Sequence, residues 1–137
     1  VISPQDTTQV ALPAEQCGHA LIIEDDELIA ASIEAEVRDL GFGSVGVARN
    51  EREAVIFASQ QQPQLITVDA RLEEGSGVSA VLAICAERAL PVIVVTGNPF
   101  QVTLPGVVTL GKPFSSAAFR AAYEQAKSRP FSAALVQ

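Results

Sequence analysis

Four places along this chain carry side chains able to do chemistry together. Glu24, Asp25 and Asp26 stand in a row, and Asp69, Thr96 and Lys112 follow singly. Clustered carboxylates repel one another and are costly beside apolar surface unless a cation neutralises them. A hard cation with oxygen ligands fits such a group, and Mg²⁺ is the usual one where phosphate is handled. Asp25 and Asp69 can supply carboxylates, the backbone carbonyl of Arg71 a further oxygen, and Glu24 a contact made mainly through water. Asp69 then reads as a nucleophile toward a metal-bound phosphoryl donor. The Lys112 ammonium and the Thr96 hydroxyl can spread around the charge on the transferred group.

These residues span nearly ninety positions, so a scaffold must gather them. Each follows or closes a short apolar run: Ala20–Ile23 before the acids, Leu65–Val68 before Asp69, Pro91–Val95 before Thr96, and Val107–Leu110 before Lys112. Ser44–Ala48 makes a weaker fifth run. Such runs of four to five residues suit buried parallel strands. Helical spacing fills the gaps. Ile29, Ile33, Val37 and Leu40 share one face of Glu27–Leu40, which Gly41 ends. Asn50 and Glu53 make a capping arrangement ahead of Glu51–Gln61, and Pro63 follows. Val78–Arg88 predicts a third helix, and Ser115 caps a last one running to about Ser128. Alternating strands and helices imply right-handed crossovers. The expected fold is α/β, a doubly wound five-stranded parallel sheet of flavodoxin-like order 2-1-3-4-5. In such sheets ligands sit beyond the carboxyl ends of the strands, where all these side chains would stand.

Bulk properties narrow the function. At 137 residues and 48% hydrophobic, the chain holds one compact domain. A net charge of −7, with no run of Lys or Arg, argues against direct nucleic-acid contact. No apolar stretch reaches the roughly 20 residues of a membrane helix, and no signal-peptide pattern opens the chain; a cytoplasmic location is expected. Cys17 and Cys85 form neither a disulfide framework nor a zinc motif. Cys85 reads as core filler, and the single histidine, His19, as a surface or strand-start residue. Residues 1–17 are rich in Pro, Gln and Thr and read as a linker or disordered lead-in. The domain proper is expected over residues 18–129, with a tail at 130–137. The chain starts at Val1 and has no methionine, which fits a domain cut within a linker from a longer protein, its output domain upstream.

Taken together, "ALIIEDDELI", "PQLITVDARLEEGSG", "PVIVVTG" and "GKPF" make the segment from Ala20 to Ser128 resemble the CheY-like receiver domains of two-component response regulators. Each piece alone has an ordinary reading: acids at a helix start, a strand-end threonine, a Lys-Pro turn, an aspartate capping a loop. Their joint order carries the resemblance. It implies that Glu24 and Asp25 are the acidic pair, Asp69 the phosphoacceptor, Thr96 the switch hydroxyl and Lys112 the invariant lysine, with Pro113 after a cis peptide bond. It implies Mg²⁺ as cofactor, a sensor histidine kinase or phosphotransferase as donor, and a signalling module rather than an enzyme.

Departures sharpen the resemblance. Glu73 stands where the loop after Asp69 usually has a proline, and Thr109 where an aromatic switch residue is usual. Only fifteen residues separate Thr96 from Lys112, among them Pro99, Pro105, Gly97, Gly106 and Gly111. A normal helix of about three turns does not fit there, so the fourth helix of the fold is expected to be missing or reduced to one turn. "PVIVVTGNP" followed closely by "GKPF" is similar to the atypical alphaproteobacterial receivers with a PFxFATGGY-like motif. Those include the C-terminal receivers of PhyR-type general stress regulators, in which phosphorylation frees a sigma-factor-like domain to bind an anti-sigma factor. The implied partner is an output domain in cis or a member of the anti-sigma pathway. Other readings remain open. A pseudo-receiver would keep the acids and leave phosphate unused. A phosphatase-type enzyme wants a second acid where Arg71 stands. A flavin-binding domain wants a Ser/Thr/Gly-rich loop where EDDEL puts negative charge.

Overall fold

The computed structural model describes residues 18–72, 74–98, 104 and 106–136. The lead-in with Cys17, and Glu73, Pro99 and Pro105, lie outside the described residues. Five parallel strands form one sheet: β1 (His19–Ile23), β2 (Ser44–Ala48), β3 (Leu65–Val68), β4 (Val92–Thr96) and β5 (Val108–Gly111). Their order is β2-β1-β3-β4-β5, the doubly wound arrangement expected from the alternating pattern. Helices α1 (Glu27–Asp39), α2 (Glu51–Gln60), α3 (Gly77–Ile84) and α4 (Ser116–Ser128) cover the sheet.

Local chemistry sets the helix ends. Asp26 caps α1 by accepting from the Leu28 and Ile29 N–H groups at 2.9 and 3.2 Å. Gly41, at φ 108°, turns the chain out of α1. Asn50 accepts the Glu53 N–H at 2.8 Å, while the Glu53 carboxylate reaches back to the Arg49 N–H at 2.8 Å. That is a capping box displaced by one residue. Ser76 and Ser115 cap α3 and α4 in the same manner.

Strand side chains alternate between two cores. Ala20, Ile22, Leu65, Ile93, Val95 and Val108 share one with Ile33 and Val37 of α1 and Phe119, Tyr123 and Ala126 of α4. Leu21, Ile23, Ile66, Val68, Val92 and Val94 share the other with Ala54 of α2 and Ala80 and Val81 of α3. Cys85 is part of this second core, and burial pushes its thiol up to about 11. His19 opens β1 as a buried residue, its Nδ1 2.9 Å from Ser44 Oγ. Burial pushes its pKa down.

Two features differ from the sequence pattern. Helix α3 stops at Ile84, well before Arg88. The Cys85 carbonyl accepts the Ala133 N–H at 3.2 Å instead of continuing the helix. Beyond Pro130 the chain turns back: Leu90 and Phe131 exchange backbone hydrogen bonds of 2.9 and 2.7 Å, and Phe131 is fully buried in the second core. A 3₁₀ turn follows over Ala133–Val136. Between β4 and β5 no helix occurs among the described residues, and Leu104 enters the second core there.

Candidate receiver site

The carboxyl ends of the strands are tied together by backbone bonds that run one residue past the apolar runs. The Glu24 N–H donates to the Ala48 carbonyl (2.9 Å), the Asp69 N–H to Ile23 (2.9 Å), and the Lys112 N–H to Thr96 (2.8 Å). The side chains that follow each strand are thereby held at one rim. Glu24, Asp25 and Asp69 each present a carboxylate oxygen there, all within 4.8 Å of one another. Lys112 Nζ lies 3.1 Å from Glu24 Oε1 and 3.4 Å from Asp69 Oδ2. The peptide bond from Lys112 to Pro113 is cis.

Each carboxylate has its own setting. Asp69 Oδ1 accepts the Arg71 N–H at 3.0 Å, which starts the loop after β3. Glu24 is only 2% exposed and accepts the Asp26 N–H at 3.2 Å. Asp26 leaves the group, since its side chain is spent on capping α1. Thr96 stands at the same rim, buried, with its hydroxyl oxygen accepting the Asn98 N–H at 3.2 Å. The rim opens into a cleft of about 340 Å³ bordered by Glu24, Asp25, Glu27 and Arg49.

An all-oxygen donor set at this spacing fits a hard dication. Burial pushes the Glu24 carboxyl from 4.5 up to about 7; the Asp69 charge adds to this, while the Asp26 N–H and Lys112 oppose it. A raised pKa means that the folded state binds more protons than the unfolded one between those values, so this group's contribution to stability is present below about pH 4.5 and lost as pH rises through about 7. In a chelator, the Glu24→Gln variant should therefore melt progressively higher than the native chain between pH 5 and pH 8. Melting curves of the two at both pH values check this; a difference independent of pH would refute it.

Two further residues act at this rim, and sequence pattern misses the second of them. Gly77 packs so closely on the Asp69 carbonyl oxygen that an added Cβ would collide with it. Glu51, the first residue of α2, reaches the loop after β3 and accepts the Ser76 N–H at 2.9 Å. The run "GSG" hints at the first; nothing in the local sequence announces the second.

A doubly wound sheet with acids, a lysine and a threonine at one rim defines a receiver. The family model of the response regulator receiver domain matches residues 20–123, and the chain belongs to that family. Within it, the likeness is to the PhyR regulators. The phyllosphere-induced regulator PhyR of Methylorubrum extorquens is 39% identical over 122 residues, covering 84% of this chain and 45% of that protein. The crystal structure of the anti-anti-sigma factor PhyR from Bartonella quintana superposes with a TM-score of 0.72 at 32% identity, over 90% of this chain and 52% of that one. The receiver domain of the sensor histidine kinase PA1611 from Pseudomonas aeruginosa, described with magnesium coordinated in its active-site cleft, superposes at 0.67 with 26% identity, over 79% and 95%. The chain spans about half the length of the PhyR proteins it matches. Among the described residues no helix is long and apolar enough to cross a membrane.

Proposed function

We propose that this chain is a Mg²⁺-dependent phosphoacceptor whose modification at Asp69 switches an output partner. The observation that carries this is the position of Lys112 Nζ, in reach of both Glu24 and Asp69 at the rim where three carboxylates converge. Mg²⁺ would be held by Asp25 and Asp69, by the Arg71 carbonyl, and by Glu24 through water. When bound it supplies charge neutralisation to the phosphoryl oxygens.

The step is a displacement at phosphorus. A carboxylate oxygen of Asp69 forms the new O–P bond, and the bond to the donor breaks with its electron pair going to the leaving group. That group is an imidazole nitrogen of a sensor histidine kinase or phosphotransferase, or acetate when acetyl phosphate is the donor. Lys112 offers its ammonium to the phosphoryl oxygens. The product carries a charge of roughly −1.5 to −2 and three strong acceptors. Thr96 Oγ accepts the Asn98 N–H and keeps its own proton, which it can donate to a phosphoryl oxygen. That added bond draws the loop after β4 inward and favours one of two packings.

By likeness to PhyR, the partner is an output domain upstream in cis, or a member of an anti-sigma pathway in a general stress response. The setting is the bacterial cytoplasm.

The test is intact mass after incubation with acetyl phosphate. A gain of one phosphoryl group with Mg²⁺, abolished by chelator, is the expected result. No gain with acetyl phosphate or with a kinase, and no beryllofluoride binding, would replace this reading by a pseudo-receiver acting without phosphate. A Lys112→Ala variant should keep its fold and accept phosphate, but lose most of the affinity change for the output partner. Binding measured with and without beryllofluoride checks this, and an unchanged response would remove Lys112 from the switch.

A further inference from the structure

The loop that joins β3 to α3 carries Asp69 at one end and the α3 cap at the other. Its outer side is held by α2. Glu51 Oε1 accepts the Ser76 N–H at 2.9 Å, and the Glu51 N–H faces the Glu74 carbonyl at 3.4 Å. Gly75 lies against this side chain with φ 82°, so close that an added Cβ would stand 2.6 Å from Glu51 Cβ and 2.8 Å from Oε1. Ser76 pairs in turn with Arg71 across an antiparallel bridge. The Arg71 N–H donates to Asp69 Oδ1. A continuous set of contacts therefore runs from Glu51 through Ser76 and Arg71 to the Asp69 carboxylate.

We propose that Glu51 is a positioning residue for Asp69: its carboxylate straps the β3–α3 loop to α2 and so sets the orientation of the Asp69 carboxylate and of the Arg71 carbonyl. This deepens the phosphoacceptor reading and rests on it. The hydrogen bond to the carboxylate, at 2.9 Å, is charge-assisted, and Glu51 is half-buried beside the loop. The loop has one glycine at positive φ in its turn, so its backbone alone does not fix its path. Misplacing a reacting group by about 1 Å can cost on the order of 100-fold in rate.

Glu51 has a second, purely structural quality, since an acid in the first turn of a helix is favourable. Substitution separates the two. Glu51→Ala and Glu51→Gln lose that charge equally, but only the glutamine keeps an oxygen able to accept the Ser76 N–H. Asn50 and Glu53 still cap α2 in both, so both should fold.

The experiment is the rate of labelling by acetyl phosphate and Mg²⁺ in the full chain, with amide exchange at Ser76 and Arg71 measured by NMR. Glu51→Ala is expected to be labelled at least about 10-fold more slowly, with faster exchange at both amides. Glu51→Gln is expected to stay within about 2-fold of the native rate, because the acceptor is retained. A native rate in the alanine variant, or a glutamine variant as slow as alanine, would overturn the proposal. If the native chain takes no phosphoryl group, the phosphoacceptor reading fails. The strap is then judged by exchange alone: equal protection of Ser76 and Arg71 in native and alanine chains overturns it, and loss of protection in the alanine chain alone upholds it.

Discussion

An Asp69→Asn chain will keep its unmodified mass in acetyl phosphate and Mg²⁺, and in chelator at pH 8 it will melt above the native chain. The first result follows from nucleophilicity. The amide oxygen lacks the charge that attacks phosphorus, while the side chain keeps its size and the oxygen that accepts the Arg71 N–H. The second follows from the charge balance at the rim. Three carboxylate oxygens lie within 4.8 Å of one another with Lys112 beside two of them. Asp69 is among the causes that push Glu24 upward. Removing its charge leaves Glu24 paired with Lys112 and relieves the repulsion. The same substitution should weaken Mg²⁺ by at least about tenfold, since it deletes one anionic ligand. Intact mass, melting in chelator and Mg²⁺ titration measure the three effects. Native stoichiometry of labelling in the variant would move the phosphoacceptor elsewhere. A lower melting point in chelator would show that Asp69 contributes more through Lys112 than it costs through Glu24.

The sheet order and the residues at its rim were legible because both follow from one rule. An apolar run that ends in a polar residue marks the place where a buried strand leaves the core, and parallel strands put all those ends on one side. Glu24, Asp25, Asp69, Thr96 and Lys112 could be read in this way. The resemblance already leaves Asp26 out of the acidic pair, but its capping role depends on where the first turn of α1 points. Thr96 closes an apolar run and so reads as a strand-end residue, but its present hydrogen bond to Asn98 depends on the path of the loop that follows. Glu51 was out of reach for a different reason: its partner Ser76 is 25 residues away, on another element. The early end of α3 likewise depends on a backbone group near the other end of the chain, the Ala133 N–H.

Phe131→Ala should be the most destabilising single truncation in the tail, costing about 3–5 kcal/mol. The link between β4 and β5 is short. The strand face carrying Val92 and Val94 needs apolar cover, and no helix supplies it among the described residues of that link. Phe131 provides it from the tail, together with Leu104. Its ring is fully buried, and its backbone is locked to Leu90, two residues before β4, by a pair of hydrogen bonds. Truncation would leave a cavity as large as a phenyl ring under β4, and the tethered backbone resists collapse into it. With typical domain stabilities of about 5–15 kcal/mol, that loss is a large share of the whole. The urea midpoint should fall by about 1–3 M. Phe131→Leu should recover much of it, because most of the volume returns. Val55→Ala, at a residue 39% exposed on α2, should stay within about 1 kcal/mol of native. Because Val92 and Val94 lie on the strand that ends at Thr96, the truncated chain should also show faster exchange of the Asn98 amide. Equal midpoints for the native and Phe131→Ala chains would mean that the tail only rests on this face and that the cover of β4 comes from elsewhere.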